Sequence, residues 1–360
     1  MNWLNICTLI TLRRIVFYIF LIITIVFLLL KLVAFEKQVQ LPTKTNPVSC
    51  YRTKNETLPE FSDVNQEGKS IYFFDTSCAS NEHGNIVISE QHACSVESAA
   101  RANPNTDVYL LFTSPGIIKD EGNTPDKLLK ALLTYPNVKI RYLNFEKYLH
   151  NTPVENLFKD GTIESSRFPV EHARDVLSYL TLWKYGGTYI NFDVLVLKSL
   201  ENLSPNYVGI PSTYTPITSV LNLSHKGRGR HIASLFLDNL KDQFLKHDLL
   251  NNGIAVLMRS LEKTCKANIL TEEVLRACRK YKVYYSSEAF LSIAWWDYPK
   301  LFKTEHIDEI LNMTKDSYTV QLWSYYDMHV FLGIEKSSNV PYKVLIEKYC
   351  PKVFAESQLL

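Results

Sequence analysis

Residues 182–198 read Leu-Trp-Lys-Tyr-Gly-Gly-Thr-Tyr-Ile-Asn-Phe-Asp-Val-Leu-Val-Leu-Lys. Just upstream, Val176, Leu180 and Trp183 recur at helical spacing, which predicts a helix over 170–185. Gly186 and Gly187 end it, because glycine takes the left-handed conformation of a helix C-cap without a side-chain clash. From Thr188 to Leu197 the chain reads as strand, interrupted only by the polar residues Asn191 and Asp193. Taken locally, Asn-Phe-Asp makes a bend. The same triplet also presents the Asp193 carboxylate at a strand end, where it would bind a divalent ion carried by a diphosphate.

Working outward, Ile71-Tyr-Phe-Phe74, Val108-Tyr-Leu-Leu-Phe112 and Val138 to Leu143 are short apolar runs that read as buried strands. Helical spacing covers 91–102 and 125–133 between them. Strands alternating with helices predict an α/β fold, a parallel sheet covered on both faces. In such sheets ligands bind beyond the carboxyl ends of the strands. Residues 36–68 carry Pro42, Pro47 and Pro59 among Lys, Thr, Asn and Glu, the composition of a tether or stem. Residues 69–360 form one domain, with a mixed helical second half and no internal repeat.

The amino-terminal segment is of another kind. Ile15 to Leu30 is an apolar run in which Thr24 is the only polar residue, and Leu32 to Phe35 extend it beyond Lys31. That is the length of a membrane-spanning helix and longer than the apolar part of a cleaved signal peptide. Arg13 and Arg14 keep the amino terminus on the cytosolic side, giving a cytosolic tail of residues 1–14 and a signal anchor at 15–35. Six of the seven cysteines, Cys50, Cys78, Cys94, Cys265, Cys278 and Cys350, then fall on the far side and are expected to form disulfides, with every pairing open. Glycosylation sequons at Asn55, Asn222 and Asn312 agree with a secretory-pathway lumen. Of the net charge of +2, the first 35 residues hold three positives and no acid, so the remainder is −1. A nearly neutral body without a Lys/Arg stripe excludes a nucleic-acid binder.

The sequence resembles the alpha-1,4-glycosyltransferase family, the lactosylceramide 4-alpha-galactosyltransferase-like animal Golgi enzymes and their insect N-acetylgalactosaminyl relatives. The resemblance runs through 69–360. It rests on Ile71-Tyr-Phe-Phe-Asp-Thr-Ser77, on Ala93-Cys-Ser-Val-Glu-Ser-Ala-Ala-Arg-Ala-Asn-Pro104, and on Trp183-Lys-Tyr-Gly-Gly-Thr-Tyr189 followed by Val194-Leu-Val-Leu-Lys-Ser-Leu200. Arg276-Ala-Cys-Arg, Ser287-Glu-Ala-Phe290, Trp296 and Tyr349-Cys-Pro351 continue it in order. It implies a Rossmann-like nucleotide-sugar-binding domain of the GT-A type in the Golgi lumen, behind a type II anchor. It implies a retaining hexosyltransferase that takes galactose or N-acetylgalactosamine from UDP-galactose or UDP-N-acetylgalactosamine to a glycolipid or glycoprotein glycan. An alternative is a catalytically silent relative that binds a glycan or a partner transferase. Self-assembly or assembly with such a partner stays open.

Carried over residue by residue, the family's Asp-x-Asp reads Asn191-Phe-Asp193. The resemblance places Asp193 on a manganese ion and Asn191 on the donor. The Ser-Asp pair of the preceding helix reads Arg174-Asp175, keeping Asp175 for the donor, and the Arg three residues later reads Ser178. A Gly-His-Gln-Gly-Pro segment has become Leu250-Asn-Asn-Gly-Ile254, with only Gly253 kept, and a late His-x-Trp-Asn reads Gln321-Leu-Trp323-Ser324. Trp323 would close the donor site, and Glu97 on the first helix would add a donor contact. The Trp295-Trp296 pair is expected to split, with one ring in the core and Trp296 on the acceptor sugar. Lys226-Gly-Arg-Gly-Arg-His231 reads as a solvated basic loop, with charge at Arg228 or Arg230 for the donor diphosphate as the minority reading.

Overall fold

The computed structural model describes residues 18, 48–53, 55–62, 64, 68–209, 219–266, 278, 284–285, 287–324 and 338–357. The chain divides into residues 1–46 and a compact unit, Pro47–Leu360. The expected cytosolic tail and anchor lie outside the described residues apart from Tyr18. No helix among the described residues is long and apolar enough to cross a membrane.

Among the described residues, nine strands make two sheets. β1 (Gly68–Asp75), β2 (Val108–Phe112), β3 (Val138–Tyr142), β4 (Gly186–Ile190), β6 (Tyr207–Gly209), β7 (Val220–Leu223) and β8 (Tyr284–Tyr285) form a seven-stranded sheet in the order β3-β2-β1-β4-β7-β6-β8. β5 (Val194–Val196) and β9 (Thr319–Gln321) form an antiparallel pair. The β3-β2-β1-β4 half is parallel throughout, as alternating strands and helices predict. β7 turns the sheet mixed by running antiparallel to both β4 and β6. The sequence reading of a parallel sheet therefore holds for the first half only. Ten positions separate β6 from β7, fewer than the dozen or more that a parallel crossover takes, so an antiparallel return is the available connection.

The principal helices follow their sequence punctuation. α1 (Glu90–Ala102) begins at Ser89, whose hydroxyl accepts the His92 N–H at 3.2 Å. α2 (Thr124–Leu133) begins at Asn123, whose side chain accepts the Asp126 N–H at 2.9 Å, with Pro125 in its first turn. α3 (Pro169–Tyr185) opens on proline and stops at Gly186. Later come α4 (Gly227–Gln243), α5 (Ile254–Cys265), α6 (Ile307–Thr314), α7 (Pro341–Tyr349) and α8 (Pro351–Glu356).

Strand alternation sorts the core into two layers. Ile71, Phe73, Leu110 and Phe112 pack with α1, α2 and the carboxyl-terminal helices. Tyr72, Phe74, Tyr109 and Leu111 pack on the other face with α3, α4 and α5. The helix-to-strand junction needs both of its glycines. Gly187 has φ +96°, and a Cβ there would lie 2.4 Å from the Ser70 carbonyl oxygen; at Gly186, with φ +66°, it would lie 2.5 Å from the His225 nitrogen.

Part of the segment read as tether belongs to the body. Val48, Cys50, Tyr51 and Phe61 are buried in the second layer, Cys50 is disulfide-bonded to Cys78, and Phe61 N–H donates to the Tyr142 carbonyl oxygen. Composition missed this because a few well-placed apolar residues and one cysteine anchor an otherwise polar strap. The other disulfides are Cys94–Cys350 and Cys265–Cys278.

Candidate active site

The break between β4 and β5 creates the site. The Asn191 side chain accepts the Asp193 N–H at 3.1 Å, a tight turn that ends one strand and starts the next. α1 holds the turn from behind. Ser95 Oγ lies 2.5 Å from the Phe192 carbonyl oxygen and 2.7 Å from that of Val194, and Ser98 Oγ accepts the Val196 N–H at 3.0 Å. The His92 ring stacks on Phe192 with centroids 4.0 Å apart. These residues carry a sequence signal that composition hides: Gln91, Ser95 and Ser98 sit four and three apart and so share one face of the helix.

Asp193 is buried, and neutral groups surround its carboxylate. Oδ1 accepts from Gln91 Nε2 at 2.9 Å, from the Ser324 N–H at 3.0 Å and from the Ser324 hydroxyl at 2.5 Å. Oδ2 accepts from Gln321 Nε2 at 3.1 Å. Burial pushes its pKa up, and the hydrogen bonds from Ser324 and Gln321 pull against that shift. The strand pair β5–β9 sets this geometry, since it brings Gln321 opposite Val194 and lets Leu322 N–H donate to the Asp193 carbonyl oxygen at 2.8 Å. Trp323 has φ +61°, a backbone conformation that costs a bulky residue about 1–3 kcal/mol and turns the Ser324 N–H toward Asp193.

Asp175 and Gly253, kept together by the resemblance, meet in space. A Cβ at Gly253 would lie 2.8 Å from Asp175 Oδ2, and the Tyr179 hydroxyl donates to the Gly253 carbonyl oxygen at 2.8 Å. Burial raises the Asp175 pKa to about 7, opposed by neighbouring Arg174 and reinforced by Glu171. Arg174 is half-buried and lies within electrostatic reach of Tyr189, Asp175, Glu171 and Asp75. Asp75 ends β1 and accepts both the N–H and the hydroxyl of Ser77, and His92 Nδ1 stands 3.8 Å from its carboxylate. Asp75, His92, Arg174, Asn191 and Asp193 thus line the carboxyl edge of β1 and β4, where open α/β sheets take ligands.

Several sequence assignments change. Glu97 is fully buried and accepts from the Tyr135 hydroxyl and from the N–H groups of Lys352 and Val353, so it caps α8 instead of facing a donor. Trp323 is also fully buried, and its indole N–H donates to the Ile293 carbonyl oxygen at 2.9 Å; its ring is core and only its backbone serves the site. The tryptophan pair does not split: Trp295 is 42% and Trp296 50% exposed, edge to face at 6.0 Å. The basic run 226–231 forms the first turn of α4 rather than a loop, with Arg230 stacked 3.7 Å over the Trp183 ring. Trp183 lies near the end of α3, just before β4 begins, and so at the opposite edge from Asp193. Asn222 is buried in β7, where its amide donates to Thr188 Oγ1 and its oxygen accepts the Asn206 N–H; it cannot carry a glycan in the folded chain. Asn55 and Asn312 are exposed.

The donor set does not suit the expected manganese. Manganese favours carboxylate, carbonyl and water ligands. Among the described residues Asp193 brings the carboxylate to the Asn-Phe-Asp turn, where the groups bonded to it are the amides of Gln91 and Gln321 and the hydroxyl of Ser324. The Asp193 oxygens are occupied by protein N–H and O–H donors, and Asn191 Oδ1 is engaged in its own turn. Gln321 cannot turn its oxygen toward a metal without losing two contacts, because its Oε1 accepts from Ser219 while its Nε2 faces Asp193. Among the described residues no group of three His, Cys, Asp or Glu side chains converges.

Fold and site together define an α/β protein with a polar break where β4 ends, at the carboxyl edge of a mixed sheet. Residues 89–209 match the glycosyltransferase sugar-binding region containing the DXD motif, and residues 225–357 match the alpha 1,4-glycosyltransferase conserved region. Across these two regions the chain is similar to the alpha-1,4-glycosyltransferase family. It is 29% identical over 283 residues to lactosylceramide 4-alpha-galactosyltransferase of Rattus norvegicus, covering 78% of this chain and 74% of that one. It is 21% identical over 278 residues to alpha-1,4-N-acetylglucosaminyltransferase of Homo sapiens, covering 73% and 75%. Similar solved structures include the PaToxG glycosyltransferase, at 17% identity and TM-score 0.38 over 66% of this chain and 79% of that one. Another is the galactosyltransferase LgtC in complex with donor and acceptor sugar analogues, at 11% identity and TM-score 0.34 over 81% and 96%.

Proposed function

We propose that this chain is a retaining hexosyltransferase that moves galactose or N-acetylgalactosamine from a UDP-sugar, in alpha-1,4 linkage, to a glycolipid or glycoprotein glycan. The observation that carries this reading is the polar edge formed by Asp75, Arg174, Asn191 and Asp193 at the carboxyl ends of β1 and β4, in a chain whose two halves both match glycosyltransferase models. Galactose and the linkage come from the names of relatives, a lactosylceramide 4-alpha-galactosyltransferase and an alpha-1,4-N-acetylglucosaminyltransferase, and N-acetylgalactosamine comes from the family resemblance of the sequence. Residues 15–35 anchor the protein as a single-pass type II protein of the Golgi membrane, with the folded body in the lumen. The six cysteines beyond that segment, all paired in disulfides, support an oxidising compartment.

The Asn191 amide and the edge of β1 seat the nucleotide, and exposed Trp296 offers an aromatic face to the acceptor sugar. The acceptor hydroxyl oxygen bonds to the anomeric carbon as the bond from that carbon to the diphosphate breaks, and the hydroxyl proton passes to the departing phosphate oxygen. Attack on the face the diphosphate leaves gives retention without a protein nucleophile. That route is supported by the state of Asp193, whose two carboxylate oxygens already accept hydrogen bonds from Gln91, Gln321 and Ser324.

The full-length chain, purified in detergent, is to be incubated with UDP-galactose or UDP-N-acetylgalactosamine and lactosylceramide, with and without a divalent cation. A product with an alpha-1,4 bond by proton NMR is the expected result. No transfer from either donor, together with no calorimetric binding of UDP, would overturn the enzyme in favour of a glycan-binding or partner role.

A further inference from the structure

We infer that the donor's diphosphate is held in this chain by the guanidinium of Arg174, without a divalent cation at Asp193. The inference rests on the UDP-sugar reading above and deepens it. At the place where a metal is expected, the carboxylate of Asp193 already has its partners in Gln91, Gln321 and Ser324, all neutral donors. A cation entering there would have to displace at least one of them, and the amides of Asn191 and Gln321 would replace charged ligands in its shell. A diphosphate is a strong anion, however, and still needs a positive partner at the same edge of the sheet.

Arg174 is placed to be that partner. The start of α3 lies against the end of β1, since Thr76 Oγ1 donates to the Val170 carbonyl oxygen at 2.9 Å, and the helix ends where β4 begins. Residues nearer the start of α3 are therefore nearer the ligand-binding edge. Residues 174 and 178 are four apart and share one helix face. Where the family pattern has serine and then arginine at these positions, this chain has Arg174 and then Ser178. The guanidinium has in effect moved one turn, about 6 Å along the helix axis, toward the carboxyl edge of the sheet. Ser178 is buried and its hydroxyl donates to the Asp175 carbonyl oxygen, so the vacated position has become structural.

Among the described residues, the Arg174 side chain makes no hydrogen bond or ion pair, although it is half-buried and three acids, Asp75, Glu171 and Asp175, lie within electrostatic reach. A purely structural arginine in that setting would be expected to close a bidentate pair with one of them. An open fork held in a field of carboxylates is instead suited to accept two phosphate oxygens when a ligand arrives.

The test uses the full-length chain in detergent, with UDP, uridine and Mn2+ as probes. Calorimetry should give UDP affinities within about threefold of each other in EDTA and in Mn2+. The electron paramagnetic resonance signal of free Mn2+ should be undiminished by the protein. Arg174→Gln should weaken UDP by about tenfold or more while leaving uridine binding unchanged, because uridine has no phosphate to lose. A merely structural role would move both ligands together. If Arg174→Gln does not fold, Arg174→Lys, which keeps the charge and loses the fork, should weaken UDP selectively in the same sense. UDP binding that requires Mn2+, capture of Mn2+ by the unaltered chain, or UDP affinity unchanged in a folded Arg174 variant would each overturn the inference. Failure to bind UDP with or without Mn2+ would instead overturn the donor reading on which it stands.

Discussion

At the scale of single residues, Asp175 gives the sharpest pH signature. Its carboxyl holds a proton up to about 7 in the folded chain, against an ordinary value of 3.8, because burial disfavours the charge more than Arg174 restores it. A raised carboxyl pKa means that the folded state binds more protons than the unfolded one between these values. Its stabilising effect is complete below about pH 4 and is lost as pH rises toward 7. Asp175→Asn keeps the shape and removes the titration. Between about pH 5 and about pH 8 the melting temperature of the unaltered chain should therefore fall by more than that of the variant. Parallel losses in the two would dismiss the account. The sequence identified Asp175 and Gly253 separately, through resemblance, but gave no hint that the glycine is small because a carboxylate leans on it.

At the scale of elements, α1 is the rack on which the site is mounted. It binds the 191–196 turn through Gln91, His92, Ser95 and Ser98, and at its other end Glu97 caps α8. Glu97→Ala would leave two backbone N–H groups and the Tyr135 hydroxyl without their acceptor. The expected loss is about 2–3 kcal/mol in urea denaturation. UDP affinity should be preserved in the folded fraction. A large loss of UDP affinity without loss of stability would restore Glu97 to the donor site. α1, α2, α3 and the first strands were legible in the sequence because apolar spacing, N-cap residues and glycine stops act over one or two turns. The role of α1 was not, because its contacts reach across about a hundred residues to the 191–196 turn.

At the scale of the molecule, disulfides and burial decide what the cell can modify. Cys94–Cys350 joins the first principal helix to the junction of α7 and α8, across 256 residues, and Cys50–Cys78 ties the amino-terminal strap to the body. With the body in the lumen, glycans should be found at Asn55 and Asn312 and none at Asn222. Loss of one mobility step by Asn55→Gln and another by Asn312→Gln, with no change for Asn222→Gln, is the expected gel pattern. A glycan on Asn222 would mean that β7 stays open long enough to be modified, and a chain without glycans would refute the luminal placement.

The amino-acid sequence alone determined the hydrophobic lead at 15–35, the alternating α/β order, the glycine stop before β4 and the polar break at Asn191-Phe-Asp193. These depend on neighbours a few positions apart, where backbone sterics and apolar periodicity act directly. Tertiary structure alone decided that Glu97 and Trp323 belong to the framework, that the strap at 48–62 is part of the body and that β7 makes the sheet mixed. It alone decided that Gln91, Gln321 and Ser324 close around Asp193. Whether a carboxylate is free for a metal depends on which donors the fold brings to it from distant parts of the chain. No local pattern records that.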